Sequence, residues 1–417
     1  MSGSPAPSIP WQRPNATEAF AAEQLDGVAG YLPFAWATCI DRLRCGVGTP
    51  SDPPPQARVP GEGAIRTTVC QHIWALDHLE LFTAAGITDL FWSHATTGCL
   101  VMKGVRIHPF PLYPVRCATH PPSVPLLPPA SRSLLYSFQG AYAPGLYLSP
   151  VREWILQWPL RPDAQLQRRD EWHYEQAVYR EQVHGQPANL DVAAQRSAEA
   201  TAYANTLQRS VFALCPSGSG PNSIRLWEAL GYGAIPVILA DHLWLPGDAE
   251  LWQQAALFVP ETKEAVAALP GRLEALAADQ PRLQAMQAAG QQLWQRYGLP
   301  GFAVDVRAFL RDPMAVLSVR ARQQLPDDPL EVAATSPAEL PLRVRRSLQT
   351  AEPSRSVLIR IDDDAPAERL QIRWQAALRI CAPLLRDRPW RVVSLSPGLE
   401  QGVPRNHGRG SAGTIVP

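Results

Sequence analysis

The chain has 417 residues, enough for two or three domains, and its 38 basic residues balance 38 acidic ones. Zero formal charge leaves no footprint for nucleic acid and no polybasic membrane surface. Its seven cysteines are scattered, odd in number and never in a CxxC pair, which argues against a disulfide framework or a cysteine zinc site and suits a reducing compartment.

Residues 1–30 read as a flexible start and then a short helix, without the basic and apolar regions of a signal peptide. No stretch is long enough to span a bilayer, so the expected location is cytoplasmic, with any membrane contact peripheral. Asn15-Ala16-Thr17 fits a glycosylation sequon, but without secretion the match is chance. Thr49–Pro60 is a proline-rich connector that closes a first segment, residues 1–60. Ile65–Cys70 is strand-like, Ile73–Ala85 is a helix carrying Ile73, Leu76, Leu79 and Leu81, and Ile87–Trp92 is a second strand ending at Ser93-His94. Val105–Tyr113 is extended, Cys117–Pro129 is another proline-rich loop, Ser133–Phe138 is strand-like, and Val151–Trp158 is a helix. Such alternation predicts an α/β layer over residues 61–190. Arg161–Gly185 is polar and reads as a solvated helical connector.

Asp191–Gln208 is a helix leading into VFALCPSGSGPNSIRLWEALGYGAIPVILAD, residues Val211–Asp241. That stretch has the pattern strand, glycine loop, helix, strand, one βαβ unit. Its second apolar run, Ala234–Leu239, has no polar alternation and predicts a strand buried on both faces of a parallel sheet. Gly218 and Gly220 allow a tight turn and close approach of a ligand. The helix starts near Pro221–Ser223, where Asn222 or Ser223 can cap. A helix start favours a phosphate, and Ser217, Ser219, Asn222 and Ser223 are further donors. Arg225 adds positive charge, and Glu228, three residues on, shares its face. The simplest ligand is a nucleoside diphosphate, with phosphates at the loop and Arg225 and a ribose diol on Glu228. Trp227 is core by spacing.

Beyond it, Glu261–Gly298 is helical, Leu299-Pro300-Gly301 breaks it, and Phe302–Leu310 resumes, closing a segment over 191–320. Ala321–Ser354 reads as a linker. Ser356–Ile361, a helix over Glu368–Leu385 and Trp390–Leu395 form a small βαβ-like piece, and the tail from Pro397 reads as disordered. Asp362-Asp363-Asp364 is a turn or helix cap.

The Cys215–Asp241 stretch closely resembles the core motif of exostosin-type glycosyltransferases (glycosyltransferase family 47): Cys-Pro, a Gly/Ser loop, Ser-x-Arg-x-Trp-Glu-Ala-Leu, Gly-x-Ile-Pro-Val and a terminal Asp. Weaker echoes at Val69–His72, Phe91–His94 and Ser137–Gly140 extend the resemblance from about Thr67 to Leu310. The resemblance implies a GT-B fold, with two Rossmann-like domains facing a cleft. The acceptor domain (61–190) comes first and the nucleotide-sugar domain (191–320) second; the remainder to 417 is a small C-terminal α/β segment with its linker and tail. It implies transfer, with inversion, from a UDP- or GDP-sugar to a glycan or lipid-linked saccharide, with helix N–H groups and an arginine rather than a metal holding the leaving diphosphate. In this family an arginine often follows the Ser-Phe pair; here that position is Gln139, which leaves the phosphates more dependent on Arg225. Inverting transfer needs a general base from the first domain. His94, at a strand end, is the best placed, with His72 and Asp89 as alternatives. Asp241 and His242 lie at the carboxyl end of a parallel strand, where α/β sheets bind ligands, and are expected to face the donor sugar. No metal ligands are assigned.

Two rival classes remain open. A dinucleotide-binding enzyme would use Gly218-x-Gly220 and Asp241 as its fingerprint, although Ser223 stands at the third glycine position and Pro221 intrudes. A catalytically inactive GT-B module that binds a glycan or a partner would tolerate Gln139 and need no base.

Overall fold

The computed structural model describes residues 9–47, 65–98, 101–169, 175–186, 190–323, 325, 327–362 and 368–395. The connector at 49–60 and the tail from Pro397 lie outside these residues. The fold is α/β and holds three sheets that are parallel but for one strand.

The first sheet contains β1 (Thr67–Cys70), β2 (Asp89–Trp92), β3 (Val101–Met102) and β4 (Val105–Pro109) in the order β1-β2-β4-β3, with the short β3 antiparallel to β4. Strands β1, β2 and β4 are buried on both faces. Cys70, Leu90 and Ile107 join Trp36, Leu79 and Phe82 on one side, while Val69 and Phe91 meet Phe302, Val306 and Phe309 on the other. Residues 304–323 therefore return to cover the first sheet. The short helix expected within residues 1–30 is Thr17–Gln24, residues 1–8 lying outside the described residues; it and the helix Trp36–Arg44 are packed against this sheet through Ala21, Leu25, Trp36 and Ile40. Asn15 of the sequon is buried, its side-chain oxygen accepting from Thr17.

The second sheet runs β6-β5-β7-β8-β9, made of β5 (Leu134–Ala141), β6 (Ala164–Arg169), β7 (Ser210–Pro216), β8 (Ile235–Leu239) and β9 (Leu257–Phe258). The predicted unit at its centre has the expected form: Phe212 and Leu214 face one core, Ala213 and Cys215 the other, and β8 is buried throughout. The expected division at residue 190 does not follow the sheets, because β5 and β6 pair with each other and β5 with β7. The segment 161–185 is no simple helical connector either. It contributes edge strand β6, whose sequence AQLQRR alternates too little to betray it, and a π-helix at Glu175–Val183.

The third sheet is β10 (Leu330–Ala334), β11 (Val357–Ile361) and β12 (Trp390–Ser394), all parallel, with helices Leu340–Thr350 and Glu368–Cys381. The expected linker at 321–354 thus carries a strand and a helix; Leu340 and Val344, four apart, bury one face of that helix. Asp362 follows β11 and pairs with Arg360.

Candidate functional site

The Ile224–Tyr232 helix is clamped on all sides. Trp227 lies in the core, edge-on to Trp252, and the helix ends on Gly233, whose φ of 70° is the left-handed conformation suited to glycine. At its other end, Ser223 occupies the cap position in extended conformation, but its hydroxyl makes no capping bond. Asn222 does not cap either: its amide donates to the Ser93 carbonyl (2.6 Å) and accepts from the Trp227 indole (3.0 Å). Asn222 thereby ties the helix start to the end of β2. Two backbone bonds continue this seam, Thr97 N–H to the His242 carbonyl and Trp244 N–H to the Ala95 carbonyl.

A cavity of about 260 Å³ opens beside this seam. Gly218, Ser219, Gly220, Asn222, Ser223, Arg225 and Glu228 line it from the second sheet, and His94 lines it from the first. Neither loop glycine has a positive φ. The loop does turn tightly, the Gly218 N–H donating to the Gly220 carbonyl (2.9 Å), and both glycines also permit close packing. A Cβ on Gly220 would lie 2.4 Å from His94 Nδ1, and one on Gly218 would lie 2.9 Å from the Arg152 guanidinium.

Ser217, Asp241 and His242, all expected at the site, are not on the cavity, and His242 is exposed. Ser217 is buried behind the loop, where its hydroxyl donates to Glu261. Asp241 also turns to Glu261: its carboxylate accepts from the Glu261 N–H (3.2 Å), and its own N–H donates back (3.1 Å). The Ser217 and Asp241 side chains fasten the strand ends, since loops leaving adjacent parallel strands must satisfy their backbone groups locally.

Arg225 is buried, stacks on the Phe138 ring (4.6 Å) and donates to the Gln139 carbonyl. Its Nε has no partner among the described residues. Beside it stands Arg152, which the sequence reading overlooked. Its Nε donates to the Ser217 carbonyl (2.8 Å), one terminal nitrogen donates to Ala141 (3.0 Å), and its guanidinium lies over Tyr147. Burial, and then the charge of Arg225, push Arg152 down to about 10. Among the described residues no carboxylate pairs with either guanidinium. Two neighbouring guanidiniums, Arg225 buried and Arg152 half-buried, are suited to an anion. Gln139 spends its amide on Thr206 (3.2 Å). Only a positive residue near the start of a short helix hinted at Arg152.

Glu228 is buried and accepts from the Arg116 N–H and the Tyr203 hydroxyl, each at 2.9 Å. Burial raises its carboxyl above the ordinary range despite these donors. On the opposite wall, burial followed by the charge of His72 pushes His94 down to about 3, so its ring is neutral at neutral pH. His94 Nδ1 is buried without a partner among the described residues. His72 also lines the cavity, but both its nitrogens are engaged, Nδ1 accepting from Trp74 N–H (3.1 Å) and Nε2 on Asp41 (2.9 Å). Asp89 is remote from the cavity, buried on Arg106 (3.1 Å) and His108 (2.8 Å). Burial alone would raise its carboxyl, but the Arg106 charge and the His108 bond hold it below its ordinary value. Among the described residues no three His, Cys, Asp or Glu side chains could hold a metal ion together.

Residues 95–271 match the Exostosin GT47 domain. The probable glucuronosyltransferase GUT1 of Oryza sativa subsp. japonica is 52% identical over 60 residues, 14% of this chain and 14% of that protein. The probable beta-1,4-xylosyltransferase IRX10 of Arabidopsis thaliana is 48% identical over 62 residues, 15% of each. The matched stretch is thus a small part of these relatives' length.

Proposed function

We propose that the chain is a glycosyltransferase of the exostosin type, which moves a sugar from a nucleoside diphosphate donor to a glycan acceptor with inversion and without metal. The observation that carries this reading is a pair of guanidiniums without carboxylate partners among the described residues, buried Arg225 and half-buried Arg152, at a glycine loop and helix start. In this reading the cleft is of GT-B type, with the donor on the second-sheet wall and the acceptor on the first. The diphosphate lies against the loop and both arginines, and Glu228 accepts from the ribose diol. His94 Nδ1 takes the proton of the acceptor hydroxyl as its oxygen bonds to the sugar C1. The C1–O bond to the diphosphate breaks on the opposite side, and the two guanidiniums stabilise the departing charge. A metal-independent transfer suits this arrangement, because both positive charges belong to the protein. The matched domain and the transferases among the similar proteins support the same class. A cytoplasmic setting belongs to the proposal and suits the free cysteines.

Titration calorimetry with UDP, GDP and NAD tests it. The expected result is binding of a nucleoside diphosphate that weakens tenfold or more in Arg152→Ala and in Arg225→Ala, roughly 1.4 kcal/mol for a lost charge-assisted hydrogen bond. Binding of NAD without either diphosphate would favour the dinucleotide reading instead. Against that reading, Asp241, which would hold the ribose, is turned to Glu261.

A further inference from the structure

The cavity walls differ in charge. The second-sheet side carries three arginines, Arg152, Arg169 and Arg225, against one carboxylate, Glu228. The first-sheet side carries a carboxylate and amides, with Gln12, Asn15 and Asp41 from the residues ahead of β1 and Gln71 and His72 from its end. None of these five residues lies within the matched domain, residues 95–271.

They form one connected network. Gln12 donates its amide to Asp41 and accepts from the Gln71 amide (2.6 Å), which also donates to the Asn15 carbonyl (2.8 Å). Asp41 further receives His72 Nε2 (2.9 Å) and the Tyr179 hydroxyl. Gln71 is held from behind: its side-chain oxygen accepts from Glu18 N–H (3.2 Å), and its own N–H donates to the Glu18 carboxylate (3.1 Å). The orientation of each amide is fixed by its neighbour, so the wall presents donors and acceptors in a set pattern.

We infer that this wall is the acceptor subsite, that the segment ahead of β1 sets acceptor choice, and that the acceptor is a neutral sugar. The inference rests on the transferase reading. A fixed array of amides and one carboxylate matches vicinal hydroxyls, which both donate and accept. The Asp41 charge faces the cavity and repels an anionic sugar such as a uronate. A wall built to hydrogen-bond hydroxyls also discriminates steeply against a ligand lacking them.

The test titrates the chain, saturated with UDP, with xylotetraose, cellotetraose and tetragalacturonate. The expected result is binding of at least one neutral oligosaccharide in preference to tetragalacturonate. Asp41→Asn and Gln12→Ala should each weaken it tenfold or more while UDP affinity stays unchanged. Retained UDP affinity shows that the variants are folded, and Gln12→Ala serves where Asp41→Asn fails to fold. Tighter binding of tetragalacturonate, no binding of either neutral oligosaccharide, or unchanged affinity in the folded variants overturns the inference. Failure of the native chain to bind any nucleoside diphosphate would instead overturn the transferase reading beneath it.

Discussion

His94 combines two properties that oppose each other in a protein interior. Its Nδ1 is buried without a partner among the described residues, and burial keeps the ring neutral, with its pKa at about 3. A neutral imidazole can accept a proton, so His94→Gln should lower kcat by about 10²- to 10⁴-fold while leaving nucleoside diphosphate affinity intact. Steady-state kinetics with parallel calorimetry would check this; an unchanged kcat places the base elsewhere. The same residue couples stability to pH. In the unfolded chain the imidazole takes its proton near pH 6.5 and in the folded chain only near 3, so stability is full above 6.5 and falls as the solution is acidified. His108, pushed down to about 4 by burial and Arg320, adds to the same slope. Urea midpoints at pH 7 and 4.5 should therefore drop less in His94→Gln than in the native chain.

At the level of elements, the Gly218–Gly220 loop is defined by what stands against it. Gly220→Ala would place a methyl 2.4 Å from His94 Nδ1 and 2.8 Å from Ile73. Overpacking of this kind costs about 1–3 kcal/mol. It should lower the melting temperature and also weaken diphosphate binding, because the loop or His94 must move. A variant matching the native chain in both measurements would show that the loop has slack. The order strand, loop, helix, strand was legible in the sequence because β7 and β8 are uninterrupted apolar runs and Trp227 and Leu230 repeat at helical spacing. The contribution of Arg225 and Glu228 to the cavity was legible for the same reason. Arg152 was not, because it is brought to the loop by pairing of β5 with β7 across some 70 residues of sequence. Asp241 misled in the opposite way. Its strand-end position was read correctly, but the partner that turns it aside, Glu261, follows β9 and is invisible to local pattern.

In the whole molecule, the three sheets are not independent. Leu358 of β11 and Val393 of β12 join the core around Phe309, Leu317 and Ala321, and Arg106 of β4 donates to the Leu395 carbonyl (2.8 Å). Ending the chain after residue 326 would expose that core. Loss of two buried aliphatic side chains costs on the order of 3 kcal/mol or more. Scanning calorimetry should show a lower melting temperature for the shortened chain; an equal one would mean that the third sheet rests on residues 304–323 without stabilising them.

The seam beside the cavity has a mechanical consequence. Asn222 to Ser93, Thr97 to His242 and Trp244 to Ala95 fasten the two walls on one side, next to the His94–Gly220 contact. A motion that leaves these bonds intact can only swing one wall about them, as a door turns on its jamb. The distance between base and phosphate loop, being close to that axis, changes least. The parts of the cavity lining that lie away from these bonds travel furthest. Substrate exchange and the alignment of the reacting groups are thereby assigned to opposite ends of one lever.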